Sequence, residues 1–118
     1  MRKLLIADDQ LGIRLLLSEV FQREGYEIYL AANGVEALQV VKDEQPHCLL
    51  LDMEMPRMNG AEVLKELQKS WPDIPVIMMT AHDRVELTDK MLKGIVHLFT
   101  KPFDIYEVRE AVNRLFDN

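Results

Sequence analysis

The 118-residue chain is 48% hydrophobic and 29% charged, with a formal net charge of -6: enough length for one compact domain with its own core, and an ordinary globular composition. The acidic balance excludes a general nucleic-acid binder, because no basic surplus exists to displace counterions from phosphates, and it gives no support to binding an anionic membrane. A single cysteine, Cys48, excludes an internal disulfide and any cysteine-based metal cluster.

Met1-Arg2-Lys3 followed by Leu4 to Ala7 faintly mimics a signal peptide, but the apolar part is too short and stops at Asp8-Asp9. No run is long enough to span a bilayer, so the cytoplasm is the expected location. Lys3 to Ala7 is predicted as the first strand. From Gln10 the period changes. Ile13, Leu16, Leu17, Val20 and Phe21 fall on one helical face, and Gly25 supplies the stop. Glu27 to Ala31 is a second strand, polar enough for a sheet edge. Asn33-Gly34 is a turn signal before a second helix whose inner face is Val35, Leu38 and Val41, ended from outside by Pro46.

His47 to Leu51 is the third strand, an apolar run buried on both faces that emerges at Asp52. Cys48 within it is expected to act as a small hydrophobe, not a reactive thiol. Pro56 and Asn59-Gly60 keep the next loop irregular. Val63, Leu64 and Leu67 mark a third helix with Ala61 at its start, broken by Ser70-Trp71-Pro72-Asp73. Val76 to Met79 is the fourth strand. Asp83 with Glu86 resembles a capping box for a fourth helix, with Val85 and Met91-Leu92 as a thin apolar face and Gly94 as its close. His97 to Thr100 is the fifth strand. Asp104 with Glu107 repeats the capping signature before a last helix whose inner face is Ile105, Val108, Ala111, Val112 and Leu115.

Strands alternating with helices of this length require parallel pairing and right-handed crossovers, hence an α/β/α sandwich. Strand order 2-1-3-4-5 places the switch point between the first and third strands, where ligands bind beyond the carboxyl ends. That order brings Asp8-Asp9 and Asp52 together. It also sends Thr80 and Lys101, which end the fourth and fifth strands, to the same rim.

Packed carboxylates raise one another's pKa unless a cation compensates. An oxygen-rich, flexible site of this kind suits Mg²⁺ or Mn²⁺. Asp9 and Asp52 are the expected direct ligands, Asp8 helps through water, and the backbone carbonyl of Glu54 closes the shell. Asp52 is then a candidate nucleophile that forms an aspartyl phosphate. The phosphoryl group needs positioning and positive charge on its oxygens, which Lys101 and the Thr80 hydroxyl can supply, with small Ala81 leaving room. Taken singly, Asp8-Asp9 reads as a strand-to-helix turn, Lys101 as a surface ion pair and Thr80 as a strand-end hydroxyl; together, at four strand ends, they point to one site. Lys101-Pro102 also invites a cis peptide.

The set Asp8-Asp9, Asp52, Thr80-Ala81 and Lys101-Pro102 resembles the receiver domain of bacterial two-component response regulators, over essentially the whole chain. Asp8 to Arg14, Glu24-Gly25-Tyr26, Ala31 to Gly34 and Lys101 to Ile105 are similar, within that family, to stand-alone receivers of sporulation phosphorelays. The resemblance implies a flavodoxin-like sheet of order 2-1-3-4-5, Mg²⁺ dependence and phosphorylation at Asp52. It implies a single receiver domain over 1–118 with no output domain, monomeric, acting as a signalling phosphocarrier rather than an enzyme. Phosphate would arrive from a sensor histidine kinase and leave to a histidine phosphotransferase. Gln10, Gly12, Ile13, Leu16, Pro102 and Phe103 match the expected docking surface; for Ile13 and Leu16 the alternative is core packing.

Three departures from the family pattern stand out. Leu98 occupies the place of an aromatic switch three residues before the lysine, while adjacent His97 would face the other side of the strand. The stretch from Thr80 to Gly94 is one residue shorter than the resemblance implies. Glu54 and His82, two beyond Asp52 and Thr80, sit where family side chains influence how fast water reaches the phosphate. Rival readings are a stand-alone receiver acting by phosphorylation-dependent binding, an aspartate-based phosphohydrolase, for which Asp52-Met53-Glu54 is a poor copy of the Asp-x-Asp motif, a non-phosphorylated binding module, and a flavin carrier, which lacks a phosphate loop after the first strand.

Overall fold

The computed structural model describes residues 2–81 and 88–117. The elements run β1 (Lys3–Ala7), α1 (Leu11–Arg23), β2 (Glu27–Ala31), α2 (Gly34–Glu44), β3 (Cys48–Asp52), α3 (Gly60–Ser70), β4 (Val76–Thr80), α4 (Asp89–Lys93), β5 (His97–Thr100) and α5 (Ile105–Leu115). All strand pairs are parallel, and the sheet order is β2-β1-β3-β4-β5, as expected. The strands richest in apolar residues, β1, β3 and β4, take the three central places, where both faces are covered and buried polar side chains stand only at the carboxyl ends.

Alternation along each central strand divides the interior in two. Leu4, Ile6, Cys48, Leu50, Ile77 and Met79 pack under α1 and α5 against Leu17, Phe21, Val108 and Val112. Leu5, Ala7, Leu49, Leu51 and Met78 pack on the other face against Ala37 and Val41 of α2 and Val63, Leu64 and Leu67 of α3. Cys48 is fully buried, and desolvation pushes its thiol up to about 12, so it stays neutral.

β3 and β4 each run one residue further than expected, because Asp52 still pairs with Met79 and the Met53 N–H donates to the Met79 carbonyl at 2.7 Å. Asp52 and Thr80 are therefore the last residues of their strands, held by the ladder rather than by loops. Two helix faces also need correction. Leu16 is 49% exposed and Val35 43% exposed. Leu17 and Phe21 reach the core from α1, and small Ala37 with Val41 does so from α2. The expected capping residues Asp83 and Glu86, with Val85 and His82, lie outside the described residues. α4 begins at Asp89, and the Met91 N–H donates to the Thr88 hydroxyl at 3.2 Å.

Helix starts are fixed by side chains. Asn33 accepts from the Glu36 N–H and Asp104 from the Tyr106 N–H. Asn59 and Glu62 form a full capping box that the sequence reading passed over. Gly60, next to that cap, sits directly against the end of β3. A Cβ there would stand 2.5 Å from the Asp52 carbonyl oxygen and 2.8 Å from the Met53 Cα, both backbone. Gly60→Ala is accordingly expected to cost roughly 1–3 kcal/mol by urea unfolding. Unchanged stability would mean that the β3–α3 turn gives way freely. No helix among the described residues is long and apolar enough to cross a membrane.

Candidate functional site

Every strand end named from the sequence reaches one rim of the sheet. Oxygens of Asp8, Asp9 and Asp52 lie within 4.8 Å of one another. Asp8 and Asp52 are buried, and Asp9 is exposed. The Lys101 ammonium sits between the two buried acids, 2.9 Å from Asp8 Oδ2 and 3.3 Å from Asp52 Oδ1. Those partners are 93 and 49 positions away in the chain, and the sheet order alone makes them neighbours. The Lys101 N–H also donates to the Thr80 carbonyl at 2.7 Å, which ties the end of β5 to that of β4. The Lys101-Pro102 peptide is cis.

The loop after β1 is built around Asp8. Its Oδ1 accepts from the Gln10 N–H at 2.9 Å, and its backbone carbonyl accepts from the Arg14 guanidinium at 2.7 Å. Gln10 adds a further acceptor for Lys101 at 3.3 Å. Gln10 therefore belongs to the pocket as well as to the expected docking surface. Arg14 closes the Asp8-to-Arg14 run that carries the resemblance, but its role is visible only in the fold, because the contact runs to a backbone oxygen.

Electrostatics single out Asp52. Burial, then the charge of Asp8, push its carboxyl up to about 7, although Lys101 and the N–H of Glu54 pull the other way. Lys101 is held above its ordinary value. Burial alone would lower it, but the hydrogen bond to Asp8 and the charges of Asp52 and Asp8 outweigh that. One carboxylate oxygen, Asp52 Oδ2, is buried with no hydrogen-bond partner among the described residues. An orphaned buried carboxylate oxygen is costly and marks a place for a cation or a reacting group. Three hard oxygen donors with flexible side chains fit Mg²⁺.

The side chain of Glu54, whose backbone carbonyl is the expected metal ligand, reaches the end of β4, where its oxygens accept from the Thr80 hydroxyl and the Ala81 N–H, both at 2.8 Å. Thr80 is thus engaged by a carboxylate in this state. At the far side of β5, Leu98 is half-buried against the α2/α3 core. His97 is exposed on the opposite face, its ring 4.3 Å from that of Phe99, as the strand alternation predicted. Of the expected docking residues, Gln10, Gly12, Leu16 and Pro102 are exposed, while Ile13 and Phe103 pack partly against the α1/α5 core. Leu11 and Leu15, 60% and 57% exposed, extend that apolar patch along α1 and were not singled out, because they fall off the inner stripe.

The family profile described as the response regulator receiver domain matches residues 4–113. The chain belongs to the response regulator receiver family. It is 48% identical over 114 residues to sporulation initiation phosphotransferase F of Bacillus subtilis, covering 95% of this chain and 91% of that protein. It is 38% identical to the regulatory protein AtoC of Escherichia coli, of which it spans 24%. Among solved structures, the response regulator TrrA of Thermotoga maritima, in complex with Mg²⁺ and BeF, superposes with a TM-score of 0.87 at 36% identity, covering 98% of this chain and 99% of that one. The acidic pocket in which receiver domains bind Mg²⁺ is formed here by Asp8, Asp9 and Asp52.

Proposed function

We propose that this receiver is a phosphorelay intermediate: it takes a phosphoryl group from a histidine kinase onto Asp52 and passes it to a phosphotransferase histidine, in the cytoplasm, as a monomer. The observation that carries the reading is the Lys101 ammonium, 2.9 and 3.3 Å from two buried carboxylates, one of which keeps an orphaned oxygen. The 48% identity with a sporulation phosphotransferase supports the relay and a sporulation context.

In the forward step a carboxylate oxygen of Asp52 forms a P–O bond as the P–N bond to the partner imidazole breaks. The imidazole nitrogen keeps the electron pair and takes a proton from solvent. The return step forms a P–N bond on a second histidine and releases the carboxylate. Asp8, Asp9, Asp52 and the backbone carbonyl of Glu54 would hold Mg²⁺, which supplies charge neutralisation at the phosphoryl oxygens. Lys101 orients Asp52 and offers positive charge where the equatorial oxygens gather. Thr80 donates a hydrogen bond to one of them once its hydroxyl is turned to the group. Gln10, Gly12, Ile13, Leu16, Pro102 and Phe103, joined by exposed Leu11 and Leu15, give partner helices an apolar strip beside the pocket.

The test is transfer from a histidine-phosphorylated phosphotransferase domain. Radiolabel is expected to move onto this chain in Mg²⁺, to stop moving when the metal is chelated, and to return when unlabelled phosphotransferase is added in excess. Steady release of inorganic phosphate from phosphate esters, without a labelled protein, would instead favour a phosphohydrolase.

A further inference from the structure

Glu54 is pinned at both ends. Its N–H donates to Asp52 Oδ1 at 3.2 Å, and its two carboxylate oxygens take the Thr80 O–H and the Ala81 N–H. Those two donors stand together at the carboxyl end of β4, and Met79, just before Thr80, pairs with Asp52. One hydroxyl and one backbone amide converge on the two oxygens of a single anion, which is a small oxyanion cradle with charge-assisted bonds. Its occupant is supplied by the chain itself.

A phosphoryl group on Asp52 is a second oxyanion in the same pocket, carrying about two negative charges at neutral pH. It cannot share both hydrogens with Glu54, and its charge repels that carboxylate. We propose that Glu54 is an internal competitor: its carboxylate fills the Thr80–Ala81 cradle while Asp52 is unmodified and must withdraw before the cradle can hold phosphoryl oxygens. Glu54 is thus a positioning residue that favours the unmodified state. The sequence places it only two residues beyond Asp52; the loop path brings it across to β4. This inference rests on the phosphoryl-acceptor reading of Asp52.

The test uses the full chain, Mg²⁺ and beryllium fluoride, a mimic of an acyl phosphate, with the Ala81 amide followed by NMR. Without beryllium fluoride, Glu54→Ala and Glu54→Gln are expected to shift the Ala81 resonance away from its wild-type position. At saturation all three proteins should converge on one Ala81 position, because the mimic then fills the cradle in each. The dissociation constant should fall about tenfold in Glu54→Ala and by a smaller factor in Glu54→Gln, which keeps the shape but not the charge. Equal dissociation constants in wild type and both variants, or an Ala81 amide indifferent to position 54, would overturn the competitor while leaving Asp52 as the acceptor. Absence of binding in all three proteins, or wild-type binding by Asp52→Asn, would overturn both readings.

Discussion

Asp52→Asn is expected to lose phosphoryl uptake altogether and, at the same time, to make the metal-free protein more stable at high pH. The first effect follows from removing the only nucleophilic oxygen proposed for the site. Intact mass after incubation with Mg²⁺ and a small phosphodonor reads it directly: a phosphoryl adduct on wild type and none on the variant. An adduct of equal yield on both would place the acceptor elsewhere.

The second effect follows from burial. Asp52 ionises at about 7 in the folded chain against an ordinary 3.8. A carboxyl raised on folding favours the folded state only while it is protonated. Wild type should therefore lose stability, relative to Asp52→Asn, as the pH rises from about 4 through 7, with the two proteins level below that window. Fully ionised, the cost is on the order of 2–4 kcal/mol, since each pKa unit is worth about 1.4 kcal/mol. Urea unfolding in chelator at pH 4 and pH 8 measures it. Added Mg²⁺ should recover most of the loss in wild type and little in the variant. A wild type as stable as the variant at pH 8 in chelator would mean that Lys101 alone compensates Asp52.

Lys101→Ala should damage both chemistry and stability. The side chain is 15% exposed and lies between two acids that are 0% and 1% exposed. Removing one partner of a buried pair leaves its counter-charges uncompensated, a loss of roughly 3 kcal/mol at pH 8 in chelator. The loss should shrink at pH 5, where Asp52 holds its proton. Uptake of a phosphoryl group should slow about a hundredfold, the usual effect of deleting one preorganised donor. Lys101→Arg keeps the charge but not the compact ammonium, so it should recover stability better than rate. A full rate in Lys101→Ala would remove the lysine from the proposed chemistry and leave it a structural ion pair.

Much of this was legible in the sequence. Hydrophobic period is a local property, so the five strands and the first, second, third and fifth helices could be placed within a residue or two, and the purity of Leu4–Ile6, Cys48–Leu51 and Val76–Met79 picked out the central strands. Because strands in such a sheet are parallel and their carboxyl ends share a rim, a polar residue ending each run already implied a shared pocket. Period misled at Leu16 and Val35, which carry the right spacing for an inner face yet stand exposed in the folded chain. Periodicity reports which residues share a face, not how wide a surface that face meets.

The amino-acid order thus determined the strands and helices, which depend on neighbours a few positions away, and their alternation, with the general rules of parallel sheets, already pointed to the residues at the reactive edge. Tertiary structure alone decided that Lys101 sits between Asp8 and Asp52, that Asp52 ionises near 7 with one oxygen unpartnered, and that Glu54 closes on Thr80 and Ala81. Those outcomes depend on distances between loops that start from different strands, and on how far folding removes water from between their charges.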